Sequence, residues 1–121
     1  MNDSTYPATT AVMVRPRVYI GESIALGPGK IDLLRAIGKT RSLSAAARSL
    51  GIPYKRAWLL VDSLNHGFGQ PVVQAVAGGK GGGGTILTVL GAELVSRYDA
   101  LERRINEASV AELKALRQLA I

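Results

Sequence analysis

Side chains suited to chemistry concentrate in two places. Pro53-Tyr54-Lys55-Arg56, with Trp58 four residues after Tyr54, joins two cationic donors to two aromatics. On a helix, Tyr54 and Trp58 share a face. The second place is Gly78–Gly84, a glycine run interrupted only by Lys80. Lysine and arginine can read guanine O6 and N7 in a major groove. A tyrosine hydroxyl can donate to phosphate. A glycine loop can lie along a sugar–phosphate backbone without steric conflict, with Lys80 as a point charge and backbone N–H groups adding contacts.

The glycines invite a nucleotide-loop reading, which fails on context. Gly79, Gly81 and Gly84 formally match G-x-G-x-x-G, but a near-continuous glycine tract matches almost any glycine pattern. A dinucleotide loop opens a helix, whereas Ile86 and Leu87 read as strand. A phosphate-binding P-loop needs Ser or Thr after its lysine. Lys80 is followed by Gly81, and Gln74 stands where the first glycine should be.

Catalysis and metal binding have little to build on. Cysteine is absent and His66 is the single histidine. No paired carboxylates or metal-ligand spacings stand out. No catalytic residue, metal or cofactor is expected.

The net charge of +6 is unevenly distributed. Between Lys30 and Gly84 the basic residues are Lys30, Arg35, Lys39, Arg41, Arg48, Lys55, Arg56 and Lys80, against Asp32 and Asp62 alone. The remainder of the chain is neutral. Concentrated positive charge attracts polyanions. The longest strongly apolar run, Ala57–Val61, is far too short to span a bilayer. Residues 1–14 do not resemble a signal peptide. A reducing cytoplasm fits the lack of cysteine.

The elements that must position these residues follow from periodicity. Residues 1–14 read as a flexible tail. Residues 14–26 read as a strand or short hairpin with Val18, Ile20 and Ile24 inward. Ile31, Leu34 and Ile37, with Leu33, place a first helix near residues 30–39. Ser42 caps a second helix over residues 43–50, and Gly51 ends it in a left-handed turn. Pro53 opens a third helix to about Asn65, with Ala57, Val61 and Leu64 inward and Gly67 and Gly69 beyond its end. Ala46 and Gly51 permit the close, steep packing of a helix-turn-helix. Two β-prone runs around the glycine loop then form a hairpin.

From about Leu90 to Ala120 the pattern is helical again. Leu94, Leu101 and Ile105 form one apolar stripe, and Leu113, Leu116 and Leu119 another. Ser109 and Glu112 have capping-box spacing. A leftover apolar stripe points to a homodimer, or to packing on the chain's own domain. Several positions carry two readings. Trp58 suits either the core or a DNA surface. Ser42 and Ser44 suit either capping or phosphate contact.

Three blocks are similar to the ModE-type molybdate-responsive regulators. They are Ile31-Asp32-Leu33-Leu34-Arg35-Ala36-Ile37, then Ser42 through Ile52, then Tyr54-Lys55-Arg56-Ala57-Trp58. The glycine stretch with Leu87-Thr88 and Gly91 resembles that family's wing. The resemblance runs roughly from Gly29 to Glu102. It implies a winged helix-turn-helix related to the LysR type, with Tyr54, Lys55 and Arg56 on the recognition helix and Lys80 in the wing. It also implies that the helix after Thr88 contributes to a homodimer. Longer family members carry C-terminal oxyanion-binding domains, and this sequence ends at Ile121, so molybdate binding is not expected.

Together these readings predict an α+β, mainly α fold. Residues 15–89 form the winged helix-turn-helix and residues 90–121 a helical dimerisation segment. The expected partner is double-stranded DNA, contacted by Arg41, Ser42, Ser44, Pro53, Tyr54, Lys55, Arg56, Trp58, Lys80 and Thr85. Leu94, Leu101 and Ile105 are the expected dimer contacts. The alternative is a helical module whose basic face meets an acidic protein. The family would also connect the chain with molybdenum-related genes.

Overall fold

A computed structural model describes residues 12–79 and 82–120. The order is β1 (Val18–Ile20), β2 (Ile24–Leu26), α1 (Pro28–Thr40), α2 (Leu43–Leu50), α3 (Tyr54–Phe68), β3 (Val73–Gly79), β4 (Gly82–Leu87), α4 (Val89–Ala108) and α5 (Val110–Leu119). The strands form two separate antiparallel hairpins, β1–β2 and β3–β4.

Helix α1 is the centre of the core. Its Ile31, Leu33, Leu34 and Ile37 are all fully buried. Each such side chain contributes roughly 1.5–3 kcal/mol when removed from water. Ala46 and Ala47 of α2, Ala57, Val61 and Leu64 of α3, and Leu94 and Tyr98 of α4 complete the cluster. Ala46 is fully buried, as close helix packing there requires, and Ala57 is buried on the inward stripe of α3.

The caps follow the sequence in α2. The Ser42 hydroxyl accepts from the Ala45 N–H at 3.0 Å. Gly51 closes the helix with φ +68°, a conformation that costs glycine nothing. Helix α1 begins at Pro28, two residues before the expected start near Lys30, because proline suits a first turn.

Four expectations need correcting. Gly67 does not end α3, which runs on to Phe68 and closes at Gly69 with φ +69°. Gly67 is there for packing: a Cβ on it would stand 2.9 Å from Ile24 Cγ1. His66 therefore sits in the last turn of a helix. The glycine tract is mostly strand, because Gly79 pairs with Gly82 and Val76 with Gly84 across an irregular register. Lys80 lies outside the described residues. Ser109 makes no capping box; its hydroxyl donates back to the Ile105 carbonyl and prolongs α4. Ile20 shares a face of the β1–β2 hairpin with Val18 and Leu26 but is 42% exposed, because it lies at the turn end while Leu26, at the other end, is buried in the core.

The stretch before β1 is tied down. Val14 donates to Asn106 Oδ1 at 2.7 Å, and Asn106 Nδ2 returns a bond to the Val14 carbonyl at 2.9 Å. The Tyr98 hydroxyl donates to the Pro16 carbonyl. Arg15 reaches Asp32 at 2.6 Å. Of the predicted tail, residues 1–11 lie outside the described residues.

Candidate nucleic-acid interface

The site begins with how α3 is seated. Ala57, Val61 and Leu64 are buried, which fixes the rotation of the helix. Successive residues turn by about 100°. Lys55, Leu59, Asp62 and His66 therefore face directly away from the core, and all are exposed. Tyr54 and Trp58 lie on one flank, 52% and 44% exposed. Their rings meet edge to face at 6.4 Å, a favoured aromatic geometry. Trp58 is thus an exposed residue rather than a core one. Arg56 turns to the opposite flank, toward Gly29 and Lys30. Lys55 and Arg56 are therefore not equivalent, although they are adjacent in sequence.

The N-terminus of α2 lies beside the α1–α2 corner. Ser42 is spent as a cap, and its hydroxyl lies 3.2 Å from that of Ser44. Ser44 itself is exposed. Arg41 forms the corner with φ +58°, the one described non-glycine residue at positive φ. Such a conformation costs a side-chain-bearing residue about 1–2 kcal/mol. It persists because both backbone groups are engaged: the N–H donates to Ile37 O at 2.8 Å, and the carbonyl accepts from Thr85 N at 3.0 Å.

That second bond docks the wing. Gly84 lets β4 approach, since a Cβ there would stand 2.8 Å from the same carbonyl. Thr85 contributes its backbone to this contact. Pro53 precedes α3 as its N-cap residue and is exposed.

The electrostatics divide the basic residues into two sets. Arg35 is consumed internally. It bonds to Asp99 and Asp32 and lies 3.7 Å from Glu102. These carboxylates offset its burial and hold it above the ordinary arginine range. Lys39, Arg41, Arg48, Lys55 and Arg56 are exposed. Among the described residues none of these five is in an ion pair. They lie on α1's end, α2 and α3, the elements of the helix-turn-helix.

Leu59 was not anticipated. It is 59% exposed on the outward stripe beside Lys55. An apolar residue there can meet a thymine methyl group. Its helical offset from Lys55 was the available signal. The expected dimer residues separate: Leu94 is buried in its own core, whereas Leu101 is 38% exposed. Ile105 is half-buried. Among the described residues no helix is long and apolar enough to cross a membrane.

No family model matches the chain. Individual proteins do. It is 47% identical over 88 residues to the molybdenum-pterin-binding protein MopB of Rhodobacter capsulatus, covering 73% of this chain and 31% of that protein. It is 37% identical to the molybdenum transport protein ModE of Azotobacter vinelandii, covering 91% of this chain and 45% of that one. The DNA-binding transcriptional dual regulator ModE of Escherichia coli is 40% identical over 74 residues, 61% of this chain and 28% of that regulator. The chain thus spans less than half the length of these relatives. In fold it is similar to the LysR-type regulator LysG of Corynebacterium glutamicum, with TM-score 0.57 and 20% identity over 79% of this chain and 31% of that one. ArgP of Mycobacterium tuberculosis gives TM-score 0.50 at 24% identity, over 70% of this chain and 30% of that one.

Proposed function

We propose that this chain, a homologue of the ModE, MopA and MopB proteins, is a sequence-specific duplex DNA-binding regulator of transcription. Lys55 and Leu59 would enter the major groove on the outward stripe of α3, with Tyr54 and Trp58 along its edge. Arg41, Ser44 and the wing would hold phosphates on either side. The observation that carries this reading is the exposed first turn of α3, bearing Lys55 and flanked by cations that no described carboxylate neutralises. Groove-reading helices use their N-terminal residues in this way.

The active unit in this reading is a homodimer. Leu101 and Ile105 on α4 continue into α5, where Val110, Leu116 and Leu119 are exposed at 59%, 58% and 82%. Paired copies would place two α3 helices in successive major grooves about 34 Å apart. Regulation of molybdenum-related genes is the target suggested by the names of the relatives.

The test is a salt titration of binding to genomic duplex fragments, wild type against Lys55→Ala. Selective retention of a few fragments, lost in the variant, is expected. In Arg41→Ala, which removes a phosphate contact in this reading, the salt slope should fall by roughly 1. Uniform, weak retention would overturn sequence reading and favour an acidic protein partner. Fluorescence of Trp58, the single tryptophan, provides an independent readout at the interface.

A further inference from the structure

A cleft of about 290 Å³ opens between the β1–β2 hairpin, the start of α1 and the α2–α3 corner. Three cationic side chains from three different segments line it: Arg17, Lys30 and Arg56. Leu50, Ile52 and Leu60 make an apolar floor. The carboxylate among its lining residues, Asp32, is already engaged by Arg15 at 2.6 Å and Arg35 at 3.0 Å.

The cations are placed rather than merely nearby. Arg17 crosses Gly27 so closely that a Cβ there would stand 3.3 Å from its Cγ and 3.4 Å from Nη1. Lys30 Nζ donates to the Ala25 carbonyl at 2.8 Å and to Ser63 Oγ at 3.2 Å, which holds it in the wall. Burial, and then the positive charge of Arg17, lower Lys30 below the ordinary lysine range. Like charges thus act on one another across the cleft, and its lining carboxylate, Asp32, is held by Arg15 and Arg35. Helix α1 also begins here without a side-chain cap, so its first free N–H groups add to the positive potential.

We infer that this cleft binds a small organic anion, with a carboxylate or phosphate head among Arg17, Lys30 and Arg56 and a compact apolar body on Leu50, Ile52 and Leu60. A DNA phosphodiester would satisfy the cations and leave the apolar floor unfilled. A free small molecule fits both parts. Arg56 belongs to α3, so an occupant would alter the flank of the helix that reads DNA. That consequence rests on the proposed function; binding in the cleft does not.

The experiment titrates phenyl phosphate, inorganic phosphate and benzyl alcohol into isotope-labelled protein without DNA, followed by NMR. Phenyl phosphate should shift the amides of Gly27, Gly29 and Ile52 saturably. Inorganic phosphate should bind at least about tenfold more weakly, and benzyl alcohol should not saturate. Arg17→Gln changes an exposed residue and should weaken phenyl phosphate about tenfold. Leu60→Phe fills the floor and should exclude the phenyl ring while sparing inorganic phosphate. Absence of saturable shifts at these amides overturns the inference. Equal affinity for phenyl and inorganic phosphate overturns it too, as does indifference to Arg17→Gln. Shifts spread over Ser44, Lys55 and the wing would indicate a diffuse cationic surface and have the same consequence. Intact phenyl phosphate binding with no duplex binding would instead defeat the proposed function and leave the cleft standing.

Discussion

The backbone N–H of Thr85 donates to the carbonyl oxygen of Arg41 at 3.0 Å. This bond joins the wing to the corner that leads into α2. It also explains two sequence features at once. Gly84 is required because a side chain would collide with that carbonyl, and Arg41 is held at φ +58° because its carbonyl must face the wing. The wing and the helix-turn-helix are therefore one positioning device rather than two neighbours.

Arg41→Gly separates the strain from the charge. Glycine adopts the left-handed conformation freely, so the variant should gain about 1 kcal/mol in urea unfolding. Its duplex affinity should fall, and the salt slope with it, because an exposed cation is gone. A loss of stability would show that the Arg41 side chain, and not only its backbone, supports the fold.

Gly91→Ala should be among the most damaging single changes. A Cβ there would stand 2.1 Å from the Val72 carbonyl, which also accepts from Thr88 N at 3.0 Å. Backbone cannot yield as a side chain can, and the cost is expected to be about 3 kcal/mol or more. Gly29→Ala meets nothing within 4 Å and should gain about 0.5 kcal/mol from helix propensity. Thermal unfolding of the two variants side by side checks both signs.

Tyr98 makes alkaline stability testable. Burial raises its hydroxyl above the ordinary tyrosine value. The Glu102 carboxylate pushes the same way, and Arg15 and Arg35 oppose it. The unfolded chain therefore loses this proton first as pH rises. The contribution is complete below the unfolded value of about 10 and is lost as pH climbs through the folded value. Lys30, lowered in the fold, acts in the opposite sense. Subtracting a Tyr98→Phe curve isolates the tyrosine. That variant should cost about 1 kcal/mol at neutral pH, since the Pro16 carbonyl loses its donor. Above pH 10 the gap should narrow.

Leu101→Glu/Leu116→Glu tests the proposed homodimer. Both side chains are exposed in the isolated chain, at 38% and 58%. Sedimentation should show a monomer, with helical content retained and duplex affinity reduced. An unchanged mass would overturn pairing through this face. Leu94→Ala is a poor probe, because Leu94 lies in the chain's own core and its loss costs roughly 2–5 kcal/mol of folding stability.

The helices and their inward stripes could be read from periodicity, because Ile31, Leu34 and Ile37, or Ala57, Val61 and Leu64, recur at the helical repeat whatever they pack against. The Ser42 cap and the Gly51 turn were legible for the same reason: their cause lies within a few residues. Charge was legible as a total, and so was the confinement of the excess between Lys30 and Gly84. The resemblance carried by Tyr54-Lys55-Arg56-Ala57-Trp58 added the fold.

What required the tertiary structure involves partners far apart in sequence. Gly67 looked like a helix stop and is a contact point for Ile24. Arg35 counted as surface charge until Asp99 and Glu102 folded onto it from α4. Lys55 and Arg56 looked interchangeable until the burial of Ala57 turned one outward and the other into a cleft. Leu94 belonged to a dimer stripe until the core claimed it. Local periodicity specifies which face of an element is apolar. Only packing decides what that face meets, and so which of the remaining side chains are left for another molecule.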